Sequence, residues 1–247
     1  MRYFAILILL LLGAFAFAQE AITYKSPNEV IERLNNLNPD ELERVKRTID
    51  PEGKLFEQTG FTFSYCKISF KPASIKEFEQ FFVYFFDCGG FNHKGISVLT
   101  EVKKNNWVLG KMQYFRNVGG GTTFHLEHMT NKSFYDLFVE NEIQGHGTGI
   151  LESDFSIWIW SEGKFVERLR TRQQFHRSGW PGTQNIVQDS VFEISETKSD
   201  KSHWLYETQK ITTDTSAIVL KRVIDWIPDL KKFRVGDWDE VKVLKKH

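Results

Sequence analysis

The chain has 247 residues, with 32 Lys+Arg against 32 Asp+Glu, 41% hydrophobic and 15% aromatic residues, 17 glycines and only 6 prolines. That much apolar side chain excludes a disordered, collagen-like or low-complexity chain, because burying it offsets the entropy lost on folding. The zero charge balance argues against a nucleic-acid binder acting through global charge.

The opening MRYFAILILLLLGAFAFAQE has the form of a secretory signal peptide. Arg2 is the charged region, Phe4 to Leu12 the apolar stretch, and Ala16-Phe17-Ala18 the small-x-small cleavage pattern. The apolar run is about 15 residues, short of the roughly 20 that span a bilayer. The expected organisation is therefore a signal peptide over 1–18, an N-terminal helical segment over 19–53 and a β-rich domain over 54–247. Cleavage leaves 31 basic and 32 acidic residues, since only Arg2 among the charges is lost. No later stretch is long and apolar enough to span a membrane, so the expected location is secreted or extracytoplasmic. In that compartment Cys66 and Cys88 are expected to form a disulfide.

Residues 26–49 carry the strongest helix signal. Ser26-Pro27-Asn28-Glu29 is a capping box with proline at the first helical position. Val30, Ile31, Leu34 and Leu37 then line one face. Asn38-Pro39-Asp40-Glu41 restarts the pattern, so the spacing predicts two short helices broken at Pro39. From Lys54 onward the chain reads as strands. Phe78 to Cys88 is apolar on both faces, as in a central buried strand. Three strand–turn–strand units follow, around Lys103–Asn106, Ser161–Lys164 and Lys198–Lys201, then a strand over Ala217–Ile227 and a tail that is irregular or a short strand. Residues 132–142 fit helix or strand. The expected fold is mainly β: an antiparallel sandwich or open barrel of about nine or ten strands behind a short helical pair, with incomplete propeller-like blades as the alternative.

Catalytic motifs are sparse. Gly145-His146-Gly147-Thr148-Gly149 lacks the spacing and the following helix of a phosphate-binding loop. His125 and His128 lie three apart in a strand-like run, which sends them to opposite faces, so neither a metal nor a cofactor is expected. There is no GxSxG elbow. Glu127, Glu152, Asp154 and Asp189 are the carboxylates available for a glycosidase pair, but spacing alone selects none.

Asp154–Arg172 is the most informative stretch. A turn centred on Glu162-Gly163 sets Trp160 opposite Phe165 and Trp158 opposite Glu167. Simple alternation places Arg168, Arg170 and Arg172 in one row, suited to an anion. Two tryptophans on one face either fill the sandwich core or stack on a sugar or peptide. Trp180, in the Gly/Pro-rich loop after Arg177, is a further contact candidate. Trp158, Trp160, Trp180, Arg168 and Arg170 are thus the candidate ligand-binding residues. The leading reading is a secreted domain that binds a glycan or protein without catalysis. Alternatives are a carbohydrate hydrolase with paired carboxylates and a carrier of an apolar ligand. Asn131-Lys132-Ser133 is a glycosylation sequon in a eukaryotic setting.

Overall fold

The computed structural model describes residues 22–53, 66–88, 93–116, 121–145, 149–178, 184–197 and 202–245. The leader, Trp180 and the middle of the 145–149 glycine loop lie outside these residues. The protein is mainly β, with two helices and two antiparallel sheets of six and nine strands that do not close into a barrel, consistent with a β-sandwich.

Helix α1 spans Pro27–Asn35 and α2 Pro39–Ile49. Both start as the sequence requires, with proline in the first turn and a side chain capping the third amide: Ser26 Oγ accepts from Glu29 N at 3.3 Å, and Asn38 Oδ1 from Glu41 N at 2.8 Å. The box is not reciprocal, because the Glu29 carboxylate reaches past the cap to the Lys25 amide.

The first sheet contains β1 (Thr23–Tyr24), β2 (Cys66–Ala73), β3 (Phe81–Cys88), β4 (His93–Lys103), β5 (Asn106–Leu109) and β6 (Gln113–Arg116). β3 pairs with β2 and β4, so the apolar Phe81–Cys88 run is internal as its composition demands. Cys66 on β2 lies directly opposite Cys88 on β3. β5 and β6 share one edge of β4, separated by a bend at Gly110–Met112. That bend is tied to the helices by Met112 N donating to Ile49 O at 2.8 Å.

The second sheet contains β7 (Thr122–Asn131), β8 (Phe134–Gly145), β9 (Ile150–Ser161), β10 (Lys164–Arg177), β11 (Ile186–Thr197), β12 (His203–Thr213), β13 (Ser216–Ile227), β14 (Lys232–Val235) and β15 (Asp239–Lys245). They follow in chain order, with β14 and β15 sharing the outer edge of β13. The 132–142 segment is thus strand, and the tail is two strands. The fifteen strands of the described residues exceed nine or ten because short pieces such as β1, β5, β6 and β14 lack the length that periodicity needs. None of these strands forms a propeller blade, since each of the two sheets is continuous.

β9 and β10 pair along their whole length, but β10 and β11 pair only over Gln174–Arg177 and Ile186–Asp189. The nine-stranded sheet therefore folds over at that seam, bringing β7 towards β12 and β10 towards β14. Three cores result. α1 and α2 bury Val30, Leu34, Val45 and Ile49 on one face of the first sheet, against Tyr84, Phe86, Leu99 and Trp107. The other face carries Phe81, Val83, Ile96 and Val98, which pack on Leu126, Leu137, Val139 and Phe165 of the second sheet. Met129, Phe138, Phe155, Ile157, Leu205 and Ile224 fill the inside of the fold-over. Each large side chain so buried contributes roughly 1.5–3 kcal/mol.

Candidate functional site

The β9–β10 hairpin turns on Glu162 (φ 53°) and Gly163 (φ 78°), two left-handed residues as a tight two-residue hairpin needs. The expected register follows, with Trp160 opposite Phe165 and Trp158 opposite Glu167. A bulge then intervenes: after Glu167↔Trp158 the next pair is Leu169↔Ile157, leaving Arg168 unpaired. The one-residue slip exchanges faces. Arg170 and Arg172 fall opposite Ser156 and Asp154, on the strand face of Trp158, while Arg168 joins Ile159 on the other. The single arginine row expected from strict alternation is corrected accordingly.

Arg170 and Arg172 are occupied by acids. Arg170 lies 2.8 Å from Glu167 and 3.7 Å from Asp154, and Arg172 lies 2.7 Å from Glu152 and over the Phe175 ring at 4.9 Å. Burial raises the Asp154 carboxyl above its ordinary range, against the pull of Arg170. Asp189 pairs with His176 at 2.8 Å, and Glu127 lines a different cavity.

Trp158 is half-buried between the sheets, edge-on to Phe115 at 5.0 Å, with its indole N–H donating to Ser156 Oγ at 2.9 Å. Trp160 lies nearer the surface. It packs edge-on against Phe78 and Phe165, and its N–H donates to Glu77 Oε2 at 3.0 Å. One side of Trp160 faces a cleft of about 280 Å³ at the end of the fold-over. Arg168, Tyr135, Asp136, Glu77, Trp226 and Lys231 also line this cleft. A second opening, of about 390 Å³, lies between Trp160 and residues Lys111, Met112 and Gln113. The structure thus brings Trp160 and Arg168 together and leaves Trp158 and Arg170 outside the cleft.

Asp136 and Trp226 are contributors that sequence patterning missed. Burial pushes the Asp136 carboxyl up to about 6, although it accepts from the Thr130 amide at 2.7 Å, the Thr130 hydroxyl and the Met129 amide. The bulge in β7 between Glu127 and Asn131 turns those amides towards it. An aspartate amid apolar strand residues was the available sequence signal.

His128 stacks on Tyr135 at 4.0 Å and contacts the Phe134 carbonyl at 2.9 Å, whereas His125 packs on Phe138. Among the described residues no group of three His, Cys, Asp or Glu side chains is placed to hold a metal ion, and no helix is long and apolar enough to cross a membrane. Comparison of the chain with family models, with curated proteins and with solved structures gave no match.

Proposed function

We propose that the protein is an exported binding module that seats part of a glycan or protein ligand in the Trp160–Arg168 cleft. The observation that carries this reading is the convergence of a surface-facing indole and a bulge-projected guanidinium on one concavity. The indole offers a flat apolar face and the guanidinium a forked donor, the pairing that suits a sugar ring or a peptide side chain with an anionic or carbonyl group. A volume of about 280 Å³ sits at the low end of ligand pockets, roughly 300–1,000 Å³, which matches one residue of a polymer better than a whole cofactor. The fold-over core is built of its own buried side chains, among them Met129, Phe138, Phe155 and Leu205, which weighs against a lipid-sized cargo.

Export rests on the N-terminal 18 residues, and the cysteine register supports a bridge. Directly opposed antiparallel residues have Cα atoms ~4.5–5.5 Å apart, inside the ~4.4–6.8 Å that disulfides span. Closing a loop of about 20 residues stabilises by roughly 3 kcal/mol in the chain-entropy model. The mature protein is expected to begin at Gln19 and to gain the mass of two hydrogen atoms when a reducing agent opens the bridge.

The test is a glycan array and a peptide pull-down with the mature protein, followed by Trp160→Ala and Arg168→Ala. Binding should fall at least ~10-fold in either variant while circular dichroism shows the fold retained, and Arg170→Ala should leave it intact. Binding indifferent to Trp160 and Arg168 would remove the site. Turnover of a bound glycan, rather than retention, would favour the hydrolase reading.

A further inference from the structure

The Trp160–Arg168 cleft carries an unbalanced charge. Three cations line it: Arg168 from the β10 bulge, Lys76 from the link between β2 and β3, and Lys231 from the turn between β13 and β14. None of the three side chains forms an ion pair or a hydrogen bond among the described residues. The other arginines of the same strand differ, since Arg170 is bound by Glu167 and Arg172 by Glu152. Arg168 is half-buried, so its guanidinium gives up part of its water and gains no carboxylate in return. Lys231 is set by the backbone: its φ of 48° and its amide, donating to Pro228 O at 3.1 Å, hold it at the end of the Pro228–Leu230 turn.

The two acids of the cleft do not cancel this charge. Asp136 is 2% exposed, and its oxygens accept from the Met129 amide, the Thr130 amide and the Thr130 hydroxyl at 2.7–3.2 Å. The bulged backbone of β7 thus answers that carboxylate. Glu77 Oε2 accepts from the Trp160 indole N–H at 3.0 Å. What remains for a ligand is an excess of positive charge next to a half-buried indole, and the low-dielectric walls of a concavity focus such a charge. An anion meets the first feature and a flat apolar face the second. A pyranose bearing a carboxylate offers both on one rigid residue, and one residue is what about 280 Å³ admits. An aspartate or glutamate side chain offers the carboxylate without the flat face.

Resting on the binding-module reading of the same cleft, we propose that it selects an acidic polysaccharide: a hexuronate residue lies with its ring on Trp160 and its carboxylate in the fork of Arg168, within the field of Lys76 and Lys231. The planar guanidinium gives the carboxylate two donors at once, and the two lysines steer the polyanion towards the cleft.

The probes are oligosaccharides of galacturonate, glucuronate and mannuronate, each paired with its methyl ester, which keeps the ring and removes the charge. They are titrated into the mature protein by calorimetry and by NMR, with an oligo-aspartate peptide alongside. At least one uronate should bind saturably in the millimolar range or tighter, with its ester at least ~10-fold weaker and its affinity falling as salt is raised. Arg168→Gln should abolish that preference, and Lys76→Gln/Lys231→Gln, at two exposed positions, should reduce it, both with circular dichroism unchanged. No uronate that outbinds its ester, a preference undiminished in either variant, or oligo-aspartate bound as tightly as the best uronate would each overturn the proposal. A neutral glycan or peptide lost on Trp160→Ala would then keep the binding module and refute only its acidic ligand, whereas no Trp160-dependent ligand of any charge would refute both.

Discussion

Asp136 and Arg222 show how single buried charges shape this protein. The Asp136 carboxyl is raised from an ordinary value of 3.8 to about 6 by loss of solvent. The fold therefore prefers the protonated acid, and between those two values the native state binds more protons than the unfolded one. Stability from this group is full below pH 3.8, declines as pH rises to about 6, and stays lower above it. The shift corresponds to about 3 kcal/mol. Urea denaturation between pH 4 and pH 7 should reveal that decline in the wild type and a flatter profile in Asp136→Asn; parallel profiles would refute the assignment. Arg222 donates to Glu207 at 2.7 Å and to Thr171 at 3.0 Å, and lies over the Trp238 ring at 4.1 Å. The Glu207 side chain is wholly buried, and its Oε1 finds no hydrogen-bond partner among the described residues. Arg222→Met strands that carboxylate and should cost about 3–5 kcal/mol of unfolding free energy. Adding Glu207→Gln should recover part of it.

At the scale of elements, the break between β5 and β6 depends on a glycine. Met112, 5% exposed, lies across Gly95 on β4, where an added Cβ would sit 2.4 Å from its sulfur. The bend carrying Met112 is fixed from both sides, by Gly110 N to Val98 O at 2.9 Å and Ser97 Oγ to Gly110 O at 2.7 Å. Gly95→Ala should therefore destabilise by about 1–3 kcal/mol through overpacking. The penalty should shrink in a Met112→Ala background, where the clashing atoms are gone; an additive double-mutant cycle would show that they do not meet. The helices, by contrast, were legible almost residue by residue. Their caps and prolines act within four residues, so local chemistry decides them. Bulges are another matter. Nothing local to Arg168 marks it as the extra residue, and the flip that parts it from Arg170 follows from which apolar neighbours, Phe165 before it and Leu169 after it, each needed a core.

At the scale of the molecule, polar contacts tie the two layers together at several points among the described residues. Gln113 on β6 makes one of them, donating to the Phe165 carbonyl at 2.9 Å and accepting from the Phe165 amide at 3.0 Å, so one side chain completes the backbone of β10 across the inter-sheet gap. Gln113→Ala should leave both Phe165 groups unpartnered and cost about 1–3 kcal/mol. Hydrogen exchange should detect it first as lost protection of the Phe165 amide; unchanged protection would mean that water or a neighbour replaces the glutamine.

The sequence by itself determined the two capped helices, the β-rich remainder, the central placement of Phe81–Cys88 and the register of the β9–β10 hairpin beside its turn, as far as Trp158 opposite Glu167. Each of these follows from interactions a few residues apart: side-chain caps, alternation with period two, and a turn that requires positive φ. The aromatic excess that composition announced is divided among three cores, and the Trp160–Arg168 cleft lies at their margin. Only the tertiary structure decided these. They arise where the nine-stranded sheet folds over at the β10–β11 seam, bringing strands far apart in sequence face to face, and no local pattern specifies which distant strand completes a given apolar face.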